Sequence, residues 1–73
     1  MCNREEFQSR LGSNIRRIRL DKELTVEQLG LESGVGYSQV SRIELGKRNP
    51  TAYTLFILSN TLEVNPDEFF KIK

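Results

Sequence analysis

The stretch Thr25-Val-Glu-Gln-Leu-Gly-Leu-Glu-Ser-Gly-Val-Gly-Tyr-Ser-Gln-Val-Ser-Arg-Ile-Glu-Leu-Gly-Lys-Arg48 decides the fold. It opens with Thr25 followed three residues later by Gln28, a capping box that satisfies two orphan amides at a helix start. Leu24 before the cap and Leu29 after it have the arrangement of a hydrophobic staple. Gly34 can take the left-handed conformation that ends a helix. Val35 fills the turn and Gly36 is a weak cap. Tyr37 to Leu45 then read as a second short helix, with Val40 and Ile43 facing inward. Gly46 ends it, and Pro50 prevents the helix from continuing past the basic loop Lys47-Arg-Asn-Pro50. Two short helices joined by a tight glycine-containing turn are the pattern of a helix-turn-helix. Such helices must cross closely. Gly30 sits in the body of the first of them, where glycine costs about 1 kcal/mol relative to alanine. Close approach of the next helix is a sufficient reason for that cost.

Working outward, the flanks extend the helical pattern. On the amino side, Asn3-Arg-Glu-Glu6 is a capping residue followed three later by Glu. Phe7, Leu11, Ile15 and Ile18 recur at spacings of four and three, one apolar stripe of a helix. On the carboxyl side, Thr51 caps a helix to about Leu62, with Leu55, Leu58 and Leu62 as its core stripe. Asn65-Pro-Asp-Glu68 announces a short fifth helix: a capping residue, proline at the first helical position, acids in the first turn. Phe69 and Phe70 close the structure. No useful period-two alternation appears, so strands are not supported. The expectation is an all-α, compact five-helix domain occupying the whole chain, residues 1–73, with its motif at about 25–45.

Composition narrows the class. The chain has 73 residues, one domain near the lower limit for an independent core. There is one cysteine, Cys2, read as an idle terminal residue, and no histidine, so neither a disulfide staple nor a zinc site is expected. The apolar runs are far too short for a membrane span. The polar, acidic amino end is no signal peptide. A soluble cytoplasmic protein without cofactors is expected. The formal net charge is +1, which argues against a charge-dominated nucleic-acid coat. The distribution is uneven, however. Arg10 to Lys22 carries five cations against Asp21, Thr25 to Val35 carries Glu27 and Glu32 alone, and Gly36 to Pro50 carries Arg42, Lys47 and Arg48 against Glu44. Arg16 and Arg17 read as solvated helix charges rather than ligands.

The outward face of the second motif helix carries Tyr37, Ser38, Gln39, Ser41 and Arg42. None is acidic. Base edges in the major groove of DNA present donors, acceptors and thymine methyls, and this face can meet them. Arg42 can bond guanine O6 and N7 together, Ser38 can reach either kind of edge, and the Tyr37 ring can pack on a methyl or a sugar. Lys47 and Arg48 follow where phosphates flank the groove. The helix start at Thr25 and Val26 offers free amides to another phosphate.

Gln28-Leu29, Gly34-Val35 and Ser41-Arg-Ile-Glu-Leu-Gly-Lys-Arg-Asn-Pro50 together resemble the phage repressor/Cro-type helix-turn-helix family, also called the XRE family. Asn14-Ile-Arg-Arg-Ile-Arg19 and Leu62-Glu-Val-Asn-Pro-Asp-Glu-Phe69 resemble its flanking parts, so the resemblance runs from about Phe7 to Phe70. It implies a five-helix, lambda-repressor-like fold, a recognition helix at 37–45 in the major groove, and a two-fold dimer. It also implies Tyr37, Ser38 and Arg42 as base contacts, with Thr25, Gln39, Lys47 and Arg48 on phosphates. Arg19 and Glu44 are implied as a structural ion pair. The family usually has alanine at the Gly30 position and a polar cap at the Gly36 position. Two glycines there imply a locally looser motif. Val26 stands where the family often has a phosphate-binding glutamine, so no side-chain contact is expected from it.

Tyr53, Phe56, Ile57 and Phe70 lie partly or wholly off the core stripe. They either wrap onto the core of a small domain or form a homodimer contact; the resemblance favours the dimer. The leading function is a sequence-specific transcriptional regulator that binds a palindromic operator as a homodimer. The alternative is an antitoxin-like or protein-interaction module on the same fold, weakened by the absence of extra chain to wrap a partner. An enzyme is unsupported, with no histidine, no Gly-rich phosphate loop and too short a chain for a buried pocket. No ligand-sensing domain is visible. Regulation would act through concentration and dimerisation, as in small phage repressors or the controller proteins of restriction–modification systems, which this chain resembles in size and architecture. Glu27 and Glu32 are the candidates for touching RNA polymerase.

Overall fold

The computed structural model describes residues 3–71, so Cys2 lies outside the described residues. Four α-helices form a body of 33 × 22 × 21 Å. They are α1 (Arg4–Asp21), α2 (Val26–Ser33), α3 (Tyr37–Glu44) and α4 (Ala52–Leu62). The expected fifth helix is instead a 3-10 helix, Pro66–Phe70. Its five residues are too few for an α-helical ladder, the Asn65 side chain makes no cap bond, and Glu68 donates back to Asn65 O at 3.0 Å in the tighter pattern.

The caps account for the boundaries. The Asn3 side chain accepts from the Glu6 amide at 2.8 Å. Both halves of the capping box on α2 form: Thr25 Oγ1 accepts from the Gln28 amide at 3.0 Å, and the Gln28 side chain accepts from the Thr25 amide at 2.8 Å. Thr51 caps α4 by one bond alone, its Oγ1 accepting from the Thr54 amide at 3.1 Å. Gly34 ends α2 with φ +78°.

The core is one cluster drawn from every element: Leu11, Ile15 and Ile18 of α1, Leu29 of α2, Val40 and Ile43 of α3, Leu55, Leu58 and Leu62 of α4, and Phe69. Phe7, Leu24 and Val35 pack against it half-buried. The Asn14 side chain donates to Phe69 O at 3.0 Å and to Lys71 O at 3.3 Å, tying the last segment to α1. Among the described residues no buried side-chain polar atom lacks a hydrogen-bond partner. No helix there is long and apolar enough to cross a membrane, and no cluster could hold a metal ion.

Candidate nucleic-acid interface

The placement of α3 is fixed by three constraints. Val40 and Ile43 are fully buried, which sets its rotation. Glu44, also buried, receives two hydrogen bonds from Arg19 of α1: Nε to Oε2 at 2.7 Å and Nη2 to Oε1 at 3.0 Å. Arg19 Nη1 donates further to Leu24 O at 2.7 Å. This bidentate pair ties α1, the turn before α2 and the end of α3 at one point, and both charges are compensated where they are desolvated.

The third constraint is two backbone crossings. A Cβ on Gly30 would stand 2.7 Å from Tyr37 N and 2.8 Å from Gly36 C. The Gly36 amide also donates to Gly30 O at 3.1 Å. The motif is therefore tighter at Gly30 than the family pattern implies, which corrects the expectation of a looser one. A Cβ on Gly12 of α1 would stand 2.3 Å from Ile43 O and 2.6 Å from Glu44 O. Gly12 does for α1 and α3 what Gly30 does for α2 and α3, and sequence reasoning missed it. An isolated glycine within an otherwise unbroken helical stripe was the available signal.

With its buried side thus fixed, α3 turns Ser38 and Arg42 to solvent. Tyr37 (55% exposed) and the partly exposed Ser41 stand on one flank of that face, and Gln39 stands on the other. Leu45, read from sequence only as part of the helix body, is 63% exposed and shares the face with Ser38 and Arg42. A large apolar group there suits a deoxyribose or a thymine methyl. Thr25, Lys47 and Arg48 are exposed around the motif. Among the described residues, none of Arg42, Lys47 and Arg48 enters an ion pair, so their charge faces outward. By contrast Lys71 is paired with Glu68 at 2.7 Å, and that bond raises its pKa above the usual lysine value.

Tyr53 (72% exposed), Phe56 (53%) and the half-buried Ile57 share one face of α4. Phe70 is exposed too, but its ring stacks on Phe7 of α1 with centroids 6.2 Å apart. The four residues grouped from sequence thus divide into an α4 face and an aromatic pair beside α1.

Comparison with known proteins agrees with this architecture. Residues 15–69 match the helix-turn-helix family model. The chain is 42% identical over 55 residues to the HTH-type transcriptional regulator y4dJ of Sinorhizobium fredii, an uncharacterised protein, covering 75% of this chain and 71% of that one. Its fold is similar to the restriction–modification controller protein C.AhdI from Aeromonas hydrophila, with a TM-score of 0.85 and 32% identity over 86% of this chain and 91% of that one. It is also similar to the controller protein C.Esp1396I, solved as a tetramer on its natural 35 base-pair operator, with a TM-score of 0.80 and 34% identity over 89% of this chain and 86% of that one.

Proposed function

This chain belongs to the helix-turn-helix family of the phage repressor/Cro, or XRE, type, and on that premise we propose that it regulates transcription by binding a palindromic DNA operator as a homodimer. One observation carries the reading: α3 is locked in place from its buried side while its outer side, polar, cationic or amphipathic apart from Leu45, is free of acids. A rigid helix with such a face suits the major groove.

In this reading Tyr37, Ser38 and Arg42 contact bases. Arg42 takes a guanine, because its planar fork matches the O6/N7 pair. Gln39, Lys47, Arg48 and the Thr25 end of α2 hold phosphates and set the register. Arg19 and Glu44 touch no DNA; they orient α3. The dimer forms through the α4 face of Tyr53, Phe56 and Ile57, with Phe70 at its margin. Half-sites then lie about 34 Å apart, one turn of DNA. The structure of a related controller protein on its operator supports the use of this fold on duplex DNA. Glu27 and Glu32, both exposed on α2, are the surface available to RNA polymerase. The protein acts in the cytoplasm and performs no catalysis.

A salt titration followed by fluorescence anisotropy tests the reading. The logarithm of the binding constant for duplex DNA should fall linearly with log salt, with a slope of roughly −0.9 for each phosphate neutralised. Binding that is absent at low salt, or insensitive to salt, overturns it.

A further inference from the structure

The turn that follows α3 is held from outside the motif. The Gly46 amide donates to Ile43 O at 3.1 Å, and the next amide, that of Lys47, donates to Arg42 O at 2.9 Å. These are the two bonds of a Schellman motif. The places whose apolar contact often braces such a turn hold Lys47 on one side and Arg42 and Ser41 on the other. The brace comes from α1 instead. Gly46 lies against the start of that helix, where a Cβ on it would stand 3.0 Å from Ser9 Cα. This approach brings the turn within reach of Gln8, whose Nε2 donates to Gly46 O at 3.2 Å. Gln8 and Gly46 are both half-buried.

Two of these bonds meet on one peptide group. A peptide is planar, so the Gly46 carbonyl and the Lys47 amide turn together. Arg42 O holds the amide edge and Gln8 holds the carbonyl edge. The plane is thereby pinned on both sides, and it sets the direction in which the chain leaves α3. Among the described residues, Gln8 gives the only hydrogen bond that reaches residues 46–50 from another helix, and residues 48–50 make none. We propose that Gln8 is a positioning residue for DNA binding: through the Gly46 carbonyl it aims the exposed Lys47 and Arg48 at the phosphates that flank the groove. The proposal rests on the DNA-binding reading above. Gln8 itself touches no DNA in it. Cations on an untethered loop lose both backbone and side-chain freedom when they meet a phosphate, and a peptide group already pinned spares part of that cost. An uncharged amide suits the task, since it donates to the carbonyl and adds no charge beside the two cations.

The test measures wild type, Gln8→Met, Lys47→Gln combined with Arg48→Gln, and the variant carrying all three changes. Each is titrated by fluorescence anisotropy on a duplex selected from a random pool and on an unrelated duplex. Methionine keeps the reach of the side chain and removes the donor; Gln8→Ala, which removes the side chain's reach as well, should behave alike. Gln8→Met should weaken both duplexes by the same factor, roughly two- to tenfold for the loss of one hydrogen bond, because phosphate contacts carry no base information. Its slope of log K against log salt should fall between those of wild type and of the variant lacking both cations. In the background without the two cations, the Gln8 change should cost nothing. An unchanged affinity, an equal loss in both backgrounds, or a loss confined to the selected duplex overturns the role of Gln8 and leaves the DNA-binding reading intact. A wild type that binds neither duplex overturns both.

Discussion

Replacing Gly12 by alanine sets two magnitudes against each other. In a helix interior alanine is favoured over glycine by about 1 kcal/mol, so an α1 that stood clear of its neighbours would gain stability. The structure opposes that gain. The added carbon would stand 2.3 Å from Ile43 O and 2.6 Å from Glu44 O, where ordinary contact begins at 3.4 Å. Both neighbours are backbone, so no side-chain rotation relieves the overlap. Either α1 or the end of α3 must move by about an ångström, and the move pulls on the Arg19–Glu44 pair in the same region. Overpacking of this kind costs roughly 1–3 kcal/mol, and a backbone clash belongs at the upper end. The net loss should be about 1–2 kcal/mol, a fall in melting temperature of roughly 5–15 °C for a domain of this size. Thermal denaturation followed by circular dichroism measures it. DNA affinity, measured where both proteins remain folded, should fall as well, because the element displaced is the one proposed to read bases. A Gly12→Ala protein that melts at or above the wild-type temperature would refute the close approach of α1 and α3.

Other expectations follow from the same geometry. Glu44→Leu leaves Arg19 buried and unpaired, and should lower stability by about 3–5 kcal/mol in urea denaturation; a loss below about 1 kcal/mol contradicts the pair as the anchor of α3. Gly34→Ala meets no neighbouring atom but must hold φ +78°, so it should lose about 1–2 kcal/mol from backbone strain alone, and an unchanged melting temperature argues against the left-handed turn. Phe56→Glu places a charge on the α4 face without touching the core. Light scattering should then show monomers where the wild type forms dimers, with an unchanged circular dichroism spectrum; a persistent dimer moves the interface elsewhere.

Most of the fold was legible because its signals are local. Asn3, Thr25 and Thr51 are caps whose partners lie three residues on, and all three bonds form. The 3-10 segment was not, because the same Asn-Pro-Asp-Glu signal opens a 3-10 and an α-helix alike. What selects between them is Phe69 reaching the core and Asn14 holding the backbone beyond it, contacts made across more than fifty residues. The end of α1 was equally hidden. It carries no glycine stop, and Glu23 takes φ +59° in its place.

The candidate interface divides in the same way. Exposure along α3 follows from helical periodicity, so Ser38, Arg42 and Gln39 could be placed from sequence. Leu45 falls on the same face by the same spacing, but as an apolar residue it carried no polar signal to single it out as a contact. Gly12 stands out locally as an isolated glycine in the α1 stripe, but its neighbours, Ile43 O and Glu44 O, depend on where α1 crosses α3.

Selection of bound duplexes from a random pool, run in parallel with wild type and Arg42→Ala, tests the central claim most directly. The wild type should enrich an inverted repeat with half-sites about one turn of DNA apart, and Arg42→Ala should lose its preference at one symmetric position, costing about 1–3 kcal/mol there while the rest of the site persists. A pool that yields no enriched sequence, or the same sequence with undiminished preference from both proteins, contradicts α3 as the element that reads DNA.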